Sequence, residues 1–93
     1  MPARAQKAPS RSQLRLAFSE TIKILRKKAK ISQEDLAIMC GVDRAYMSAL
    51  ERAQHTPTIE TVYKLLPKLD VSFRHFAITF EASLRGQGNR RGL

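Results

Sequence analysis

The stretch SQEDLAIMCGVDRAYMSALERA, residues 32–53, decides how this chain is read. Ser32 is followed by Gln33, Glu34 and Asp35, which is the chemistry of a helix start. A hydroxyl there can accept from free backbone N–H groups, and acids suit the positive first turn. Leu36, Ala37 and Cys40 continue at helical spacing. Gly41 then supplies the residue type that most easily takes the left-handed conformation at a helix end. Residues 41–43 alone separate this helix from a second one, capped by Asp43 and covering about residues 44–53. Met47 and Leu50 of the second helix point inward. Arg44, Ser48 and Arg52 fall four apart and share the outward face, with Ala45 and Ala49 beside them. The outward strip is either small or able to donate hydrogen bonds.

The flanking segments are also helical. Leu14, Phe18, Ile22 and Leu25 step by four, four and three, and Lys23, Arg26, Lys27, Lys28 and Lys30 crowd the end of that helix, where cations suit its dipole. Thr58 caps a fourth helix with an apolar stripe of Ile59, Val62, Leu66 and Leu69. Pro67, inside it, removes a hydrogen bond to the Tyr63 carbonyl and should kink or shorten it. Ser72 caps a fifth helix carrying Phe73, Phe76, Ala77, Phe80 and Leu84 on one side. No stretch alternates with period two over a strand's length. The expected fold is all-α with five short helices: a flexible basic arm at 1–12, a helical domain at 13–84, and a flexible Gly- and Arg-rich tail at 85–93.

Ninety-three residues make one small domain, with room for a core but not for a core plus a catalytic cleft. The formal charge of +9 suits a polyanionic partner. Seven of those charges lie in residues 1–15 and 85–93, leaving residues 16–84 with ten basic and eight acidic side chains. The domain must therefore supply its own argument for a partner. Cys40 is the single cysteine, so no intrachain disulfide forms and a reducing interior fits. No apolar run reaches the roughly 18 residues a spanning helix needs, so a cytoplasmic protein without a membrane role is expected. Ser48 has no His or acid arranged to activate it, and neither His55 nor His75 has a partner at metal-ligand spacing. No enzyme, cofactor, metal or small-molecule ligand is implied.

Two short helices joined by a three-residue glycine turn outline a helix-turn-helix. Residues 18–77 resemble the Xre-type helix-turn-helix family, which includes phage repressors, Cro proteins and restriction–modification controller proteins. The matching stretches are LRKKAKISQEDLA (25–37), CGVDRAYMSALERAQHTPTIETVYKL (40–65) and LDVSFRHF (69–76). The segment RAYMSALER is especially similar to the controller proteins. The resemblance implies a five-helix, lambda-repressor-like domain whose second motif helix enters the DNA major groove. Arg44 would then meet base edges, its guanidinium fork matching guanine O6 and N7. Ser48 could reach a base or a phosphate, while Ala45 and Ala49 offer only methyl contact, for example to thymine. The resemblance further implies that Gln33 grips a phosphate and can brace Arg44. Arg52, Gln54, His55 and Thr56 are further phosphate candidates. Tyr46 either joins them or packs against the preceding helix. Arg26 and Glu51 are implied as a buried structural ion pair. Lys30 and Ala53 stand where the family usually has glycine.

A single recognition helix contacts few base pairs, and such proteins usually bind inverted half-sites as dimers. Phe76, Phe80 and Leu84 on the fifth helix are the expected dimer surface. The function implied is a sequence-specific, double-stranded-DNA-binding transcriptional regulator, a repressor or autoregulator. The alternatives are an antitoxin-type protein that neutralises a partner protein, and a non-specific polyanion binder acting through its tails.

Overall fold

The computed structural model describes residues 7–91, with side chains through Gln87. Residues 1–6, which include Arg4 of the expected arm, residues 92–93 of the tail, and the side chains of Arg90 and Arg91 lie outside the described residues. The order of elements is α1 Arg11–Ala29, α2 Gln33–Cys40, α3 Arg44–Glu51, α4 Ile59–Leu69 and α5 Phe73–Arg91. No strand occurs among the described residues.

Local chemistry sets most of the boundaries. α1 opens at a capping box: the Gln13 amide N–H donates to Ser10 Oγ at 3.1 Å, and the Ser10 N–H donates to Gln13 Oε1 at 2.7 Å. Residues 11–12 are thus helical, not the end of a flexible arm. Ser32, Thr58 and Ser72 cap α2, α4 and α5 through backbone N–H groups three residues on. Asp43 holds the N-cap position of α3 but makes no side-chain cap hydrogen bond, contrary to expectation. A helix of eight residues is too short to stand alone, so α3 depends on its packing. Left-handed backbone ends three helices: Gly41 at φ 68, Lys30 at φ 60, and Asp70 at φ 58. Ala53, just past α3, is left-handed at φ 61.

Tertiary packing carries two helices past residues that would end them. α4 runs on past Pro67 to Leu69, so the proline does not stop it there, and Leu66 and Leu69 are buried in its last turn. α5 continues to Arg91 through a segment that reads as a Gly-rich tail. The reason lies in its contact with α1. Gln87 is buried and its Nε2 donates to the Gln13 carbonyl at 3.0 Å. One turn earlier, the Ser83 hydroxyl donates to the Glu20 carboxylate. Early α1 therefore meets late α5, and the two longest helices lie antiparallel.

The core sits between this pair and α2–α4. It joins Phe18, Ile22 and Leu25 of α1 to Leu36, Met47, Leu50, Val62, Leu65, Leu66, Leu69 and Phe76. Leu65 completes the α4 stripe, whereas Ile59 is 61% exposed and does not belong to it. Phe76, expected at a dimer surface, is 6% exposed and packs on Phe18 with ring centroids 5.9 Å apart. It is a core residue. Among the described residues no buried side-chain nitrogen or oxygen lacks a hydrogen-bond partner.

Candidate nucleic-acid interface

The site is organised by one buried carboxylate at the end of α3. Glu51 is 5% exposed. Its Oε2 accepts from Arg26 Nε at 2.7 Å and its Oε1 from Arg26 Nη2 at 3.0 Å, a two-pronged pair. Gln33 Nε2 donates to the same Oε1 at 3.2 Å, and Ser19 Oγ donates to the Glu51 backbone carbonyl at 2.6 Å. Arg26 also donates through Nη1 to the Ile31 carbonyl in the α1–α2 turn, at 2.9 Å. α1, that turn, the start of α2 and the end of α3 are thereby fixed to one another. The implied Arg26–Glu51 pair is present. Gln33, however, braces Glu51 and not Arg44.

The opposite end of α3 is open. Arg44 and Ala45 are exposed and Ser48 is half-buried. Among the described residues, Arg44 finds no side-chain hydrogen bond or ion pair. Ala49 departs from the sequence reading: it is 7% exposed, which removes it from the candidate base contacts. Beyond it Ala53 is left-handed and the Gln54 N–H bonds back to the Ala49 carbonyl at 2.9 Å, closing the end of α3. The outward strip is therefore Arg44, Ala45, Ser48 and Arg52. A strip this slim matches the width of a major groove.

The loop after α3 is held by its own side chains. Arg52 Nη2 donates to Gln54 Oε1 at 3.2 Å, the Tyr46 and His55 rings lie 5.9 Å apart, and Arg15 Nε of α1 donates to Thr56 Oγ1 at 3.0 Å. Arg52, Gln54, His55 and Thr56 are exposed, and Tyr46 is half-buried against the core. Tyr46 thus packs against the core and meets the His55 ring at the edge of the loop. Ser19 and Arg15 are the residues that sequence reasoning missed. Their helical spacing with Arg26, at positions 15, 19 and 26, marks one α1 stripe facing α3 and its loop.

Burial pushes the Cys40 thiol above its usual 9.0, against the opposing pull of Lys68 and Lys64, so it is not an activated nucleophile. The thiol is only partly buried and lies 3.6 Å from the Lys64 carbonyl. Among the described residues no group of three or more His, Cys, Asp or Glu side chains is placed to hold a metal ion. None of the described helices is long and apolar enough to cross a membrane.

Known proteins share this geometry. A hypothetical transcription factor of Neisseria meningitidis serogroup B is 33% identical over 64 residues, covering 69% of this chain and 60% of the relative. An HTH-type transcriptional regulator of Sinorhizobium fredii, itself uncharacterized, is 38% identical over 48 residues, covering 52% of this chain and 62% of the relative. The match thus spans about three-fifths of the length of these curated relatives. Among solved structures, the restriction–modification controller protein C.Esp1396I, as a tetramer in complex with its natural 35 base-pair operator, superposes with a TM-score of 0.70. That match is 31% identical and covers 76% of this chain and 93% of the controller. The helix-turn-helix family profile HTH_3 matches residues 22–76, the segment from mid-α1 to the start of α5 that contains the Glu51 hub and the outward strip. The chain belongs to the Xre-type helix-turn-helix family of DNA-binding regulators.

Proposed function

We propose that this chain is a sequence-specific, double-stranded-DNA-binding transcriptional regulator that represses its own or a neighbouring promoter. The observation that carries the reading is the contrast within α3. One end is anchored by Glu51, while the other presents Arg44, Ala45 and Ser48, with no partner for the guanidinium among the described residues. Arg44 reads a guanine edge, Ala45 contacts a base methyl, and Ser48 reaches a base or phosphate. Gln33 and the loop residues Arg52, Gln54, His55 and Thr56 fix register on phosphates, with Tyr46 at their edge. The operator complex of the controller protein supports this docking. The role is binding, not catalysis, and the compartment is the cytoplasm.

The working unit is a two-fold dimer on an inverted repeat, with half-sites about 34 Å apart. An apolar groove of about 380 Å³ runs between α1, α4 and α5, lined among others by Pro57, Ile59, Phe73, Phe80 and Leu84. Beside it Tyr63 stacks on Phe73 at 5.5 Å, and both rings remain substantially exposed. The dimer surface is this edge, Ile59, Tyr63 and Phe73 with the half-buried Phe80 and Leu84, while Phe76 belongs to the core.

Selection from random duplexes tests the reading. Enrichment of an inverted repeat is expected; recovery of no motif would refute sequence-specific binding. Sedimentation of Phe73→Glu tests the interface. The variant should be monomeric where the parent is dimeric, and an unchanged dimer would remove this edge from the interface.

A further inference from the structure

Two basic segments among the described residues, Lys7 to Arg15 and the stretch around Arg85, are distant in sequence and neighbours in the fold. The antiparallel packing of α1 and α5 brings them together, and the Gln87–Gln13 hydrogen bond ties them. Residues 7–9 reach back to Leu84 across a small cavity that they share with Gln13. Lys7, Arg11 and Arg85 are exposed at this pole, and Arg15 is half-buried. Its position relative to the DNA-reading face follows from two contacts. Arg11 and Arg15 lie one turn apart on the α1 stripe that faces α3, and Arg15 bonds Thr56 in the loop after α3. Arg85 lies one turn beyond Glu81, which borders the apolar groove together with Thr56 and Pro57. Both basic ends therefore flank the loop that follows the recognition helix. Glu81 is the acid of that groove edge, and it sits one turn inboard of Arg85.

We infer that Lys7, Arg11, Arg15 and Arg85 form a single second phosphate-binding surface, which continues along the DNA backbone from the loop, past the base pairs reached by α3. This rests on the DNA-binding reading and deepens it. The tails are not two independent polyelectrolyte arms. α1 and α5 present them as one pole, pre-positioned by the Gln87–Gln13 bond and the Arg15–Thr56 contact. Such a surface supplies affinity and register without sequence information. It also gives a use to four of the seven basic residues that lie outside residues 16–84.

The test uses the full chain on its selected operator, embedded in a longer duplex. Phosphate-ethylation interference is combined with binding measured across a salt series. The variant Lys7→Ala/Arg11→Ala/Arg85→Ala changes only exposed side chains, and circular dichroism checks its fold. Removing one phosphate-neutralising side chain lowers the slope of log affinity against log salt by about 0.9. The triple variant should therefore lose roughly 40-fold less affinity per bound protomer than the parent between about 50 and 200 mM salt. Its base preference should be unchanged. The single variants Arg11→Ala and Arg85→Ala should each release interference at the same or adjacent phosphates, distinct from those beside the bases that Arg44 reads. An unchanged salt slope and footprint, with the operator still selected and Arg44→Ala still impaired, would overturn the inference and leave the DNA reading intact. Release of interference at well-separated phosphates in the two single variants would also overturn it. Failure of the parent to prefer any duplex would instead overturn the reading beneath it.

Discussion

The two ends of α3 belong to one eight-residue helix and are built on opposite principles. At the C-terminal end a carboxylate is buried and held by Arg26 and Gln33, with a serine on its backbone carbonyl. At the N-terminal end an arginine stands in solvent with nothing to hold among the described residues. A buried ion pair is a weak source of net stability, because desolvation consumes most of its Coulombic gain, but it penalises any arrangement that separates the partners. Glu51 thus specifies the angle at which α3 leaves the body, and that angle aims Arg44. On the proposed function, orientation and reading are separate properties of one short helix, and mutation should resolve them.

The largest effect should come from the closed end. Glu51→Ala leaves Arg26 buried without its partner and should cost about 3–5 kcal/mol of stability by urea unfolding. A double-mutant cycle with Arg26→Ala should show strong coupling; additive losses would mean that the pair does not act as a unit. The open end should behave in reverse. Arg44→Ala should unfold within about 0.5 kcal/mol of the parent, yet lose about 5- to 150-fold in operator affinity by fluorescence anisotropy. Substantial destabilisation by Arg44→Ala would erase the contrast between the ends.

A smaller effect lies just past the hub. Ala53 pays for a left-handed backbone that glycine adopts freely, so Ala53→Gly should raise stability by about 0.5–1 kcal/mol, read as a higher melting temperature. A lower melting temperature would place the benefit of alanine in the unfolded state. The smallest effect concerns Cys40, the last residue of α2. Because burial raises its thiol pKa, the thiolate is scarce at pH 8, and alkylation should be slower in the folded chain than in urea. The sign follows from the shift: raising the pH favours the unfolded state for this group, with an effect confined to the alkaline side of 9.0.

Much of this fold is legible in the sequence because it is written in local chemistry. Ser32, Thr58 and Ser72 as caps, and Gly41 as a left-handed stop, act within a few residues of where they stand. So does the strip of Arg44, Ser48 and Arg52, which helical spacing alone aligns. The features that escape the sequence depend on distant partners. The Ser10–Gln13 capping box is hidden in a basic stretch with no apolar rhythm. α5 continues through its glycines because Gln87 finds the Gln13 carbonyl, 74 positions away. The wheel position of Ala49 lies beside the outward strip, yet tertiary packing buries it. The Arg26–Glu51 pair is implied by family resemblance and not by spacing, since 25 residues separate the partners. Ser19 and Arg15 have no local signal to distinguish them from ordinary helix residues. The core residue Phe76 looks like a docking residue because the depth of the α1–α5 packing is a tertiary property.

If the open end of α3 reads sequence while the closed end only aims it, a thermodynamic cycle between protein and DNA must show the division. Affinities are measured for the parent and Arg44→Ala on the selected operator and on the same duplex with its symmetric guanine positions replaced in both half-sites. The parent should discriminate between the duplexes by about 1–3 kcal/mol per position, and Arg44→Ala should bind both alike. Equal discrimination by the parent and by Arg44→Ala would mean that the open end does not read.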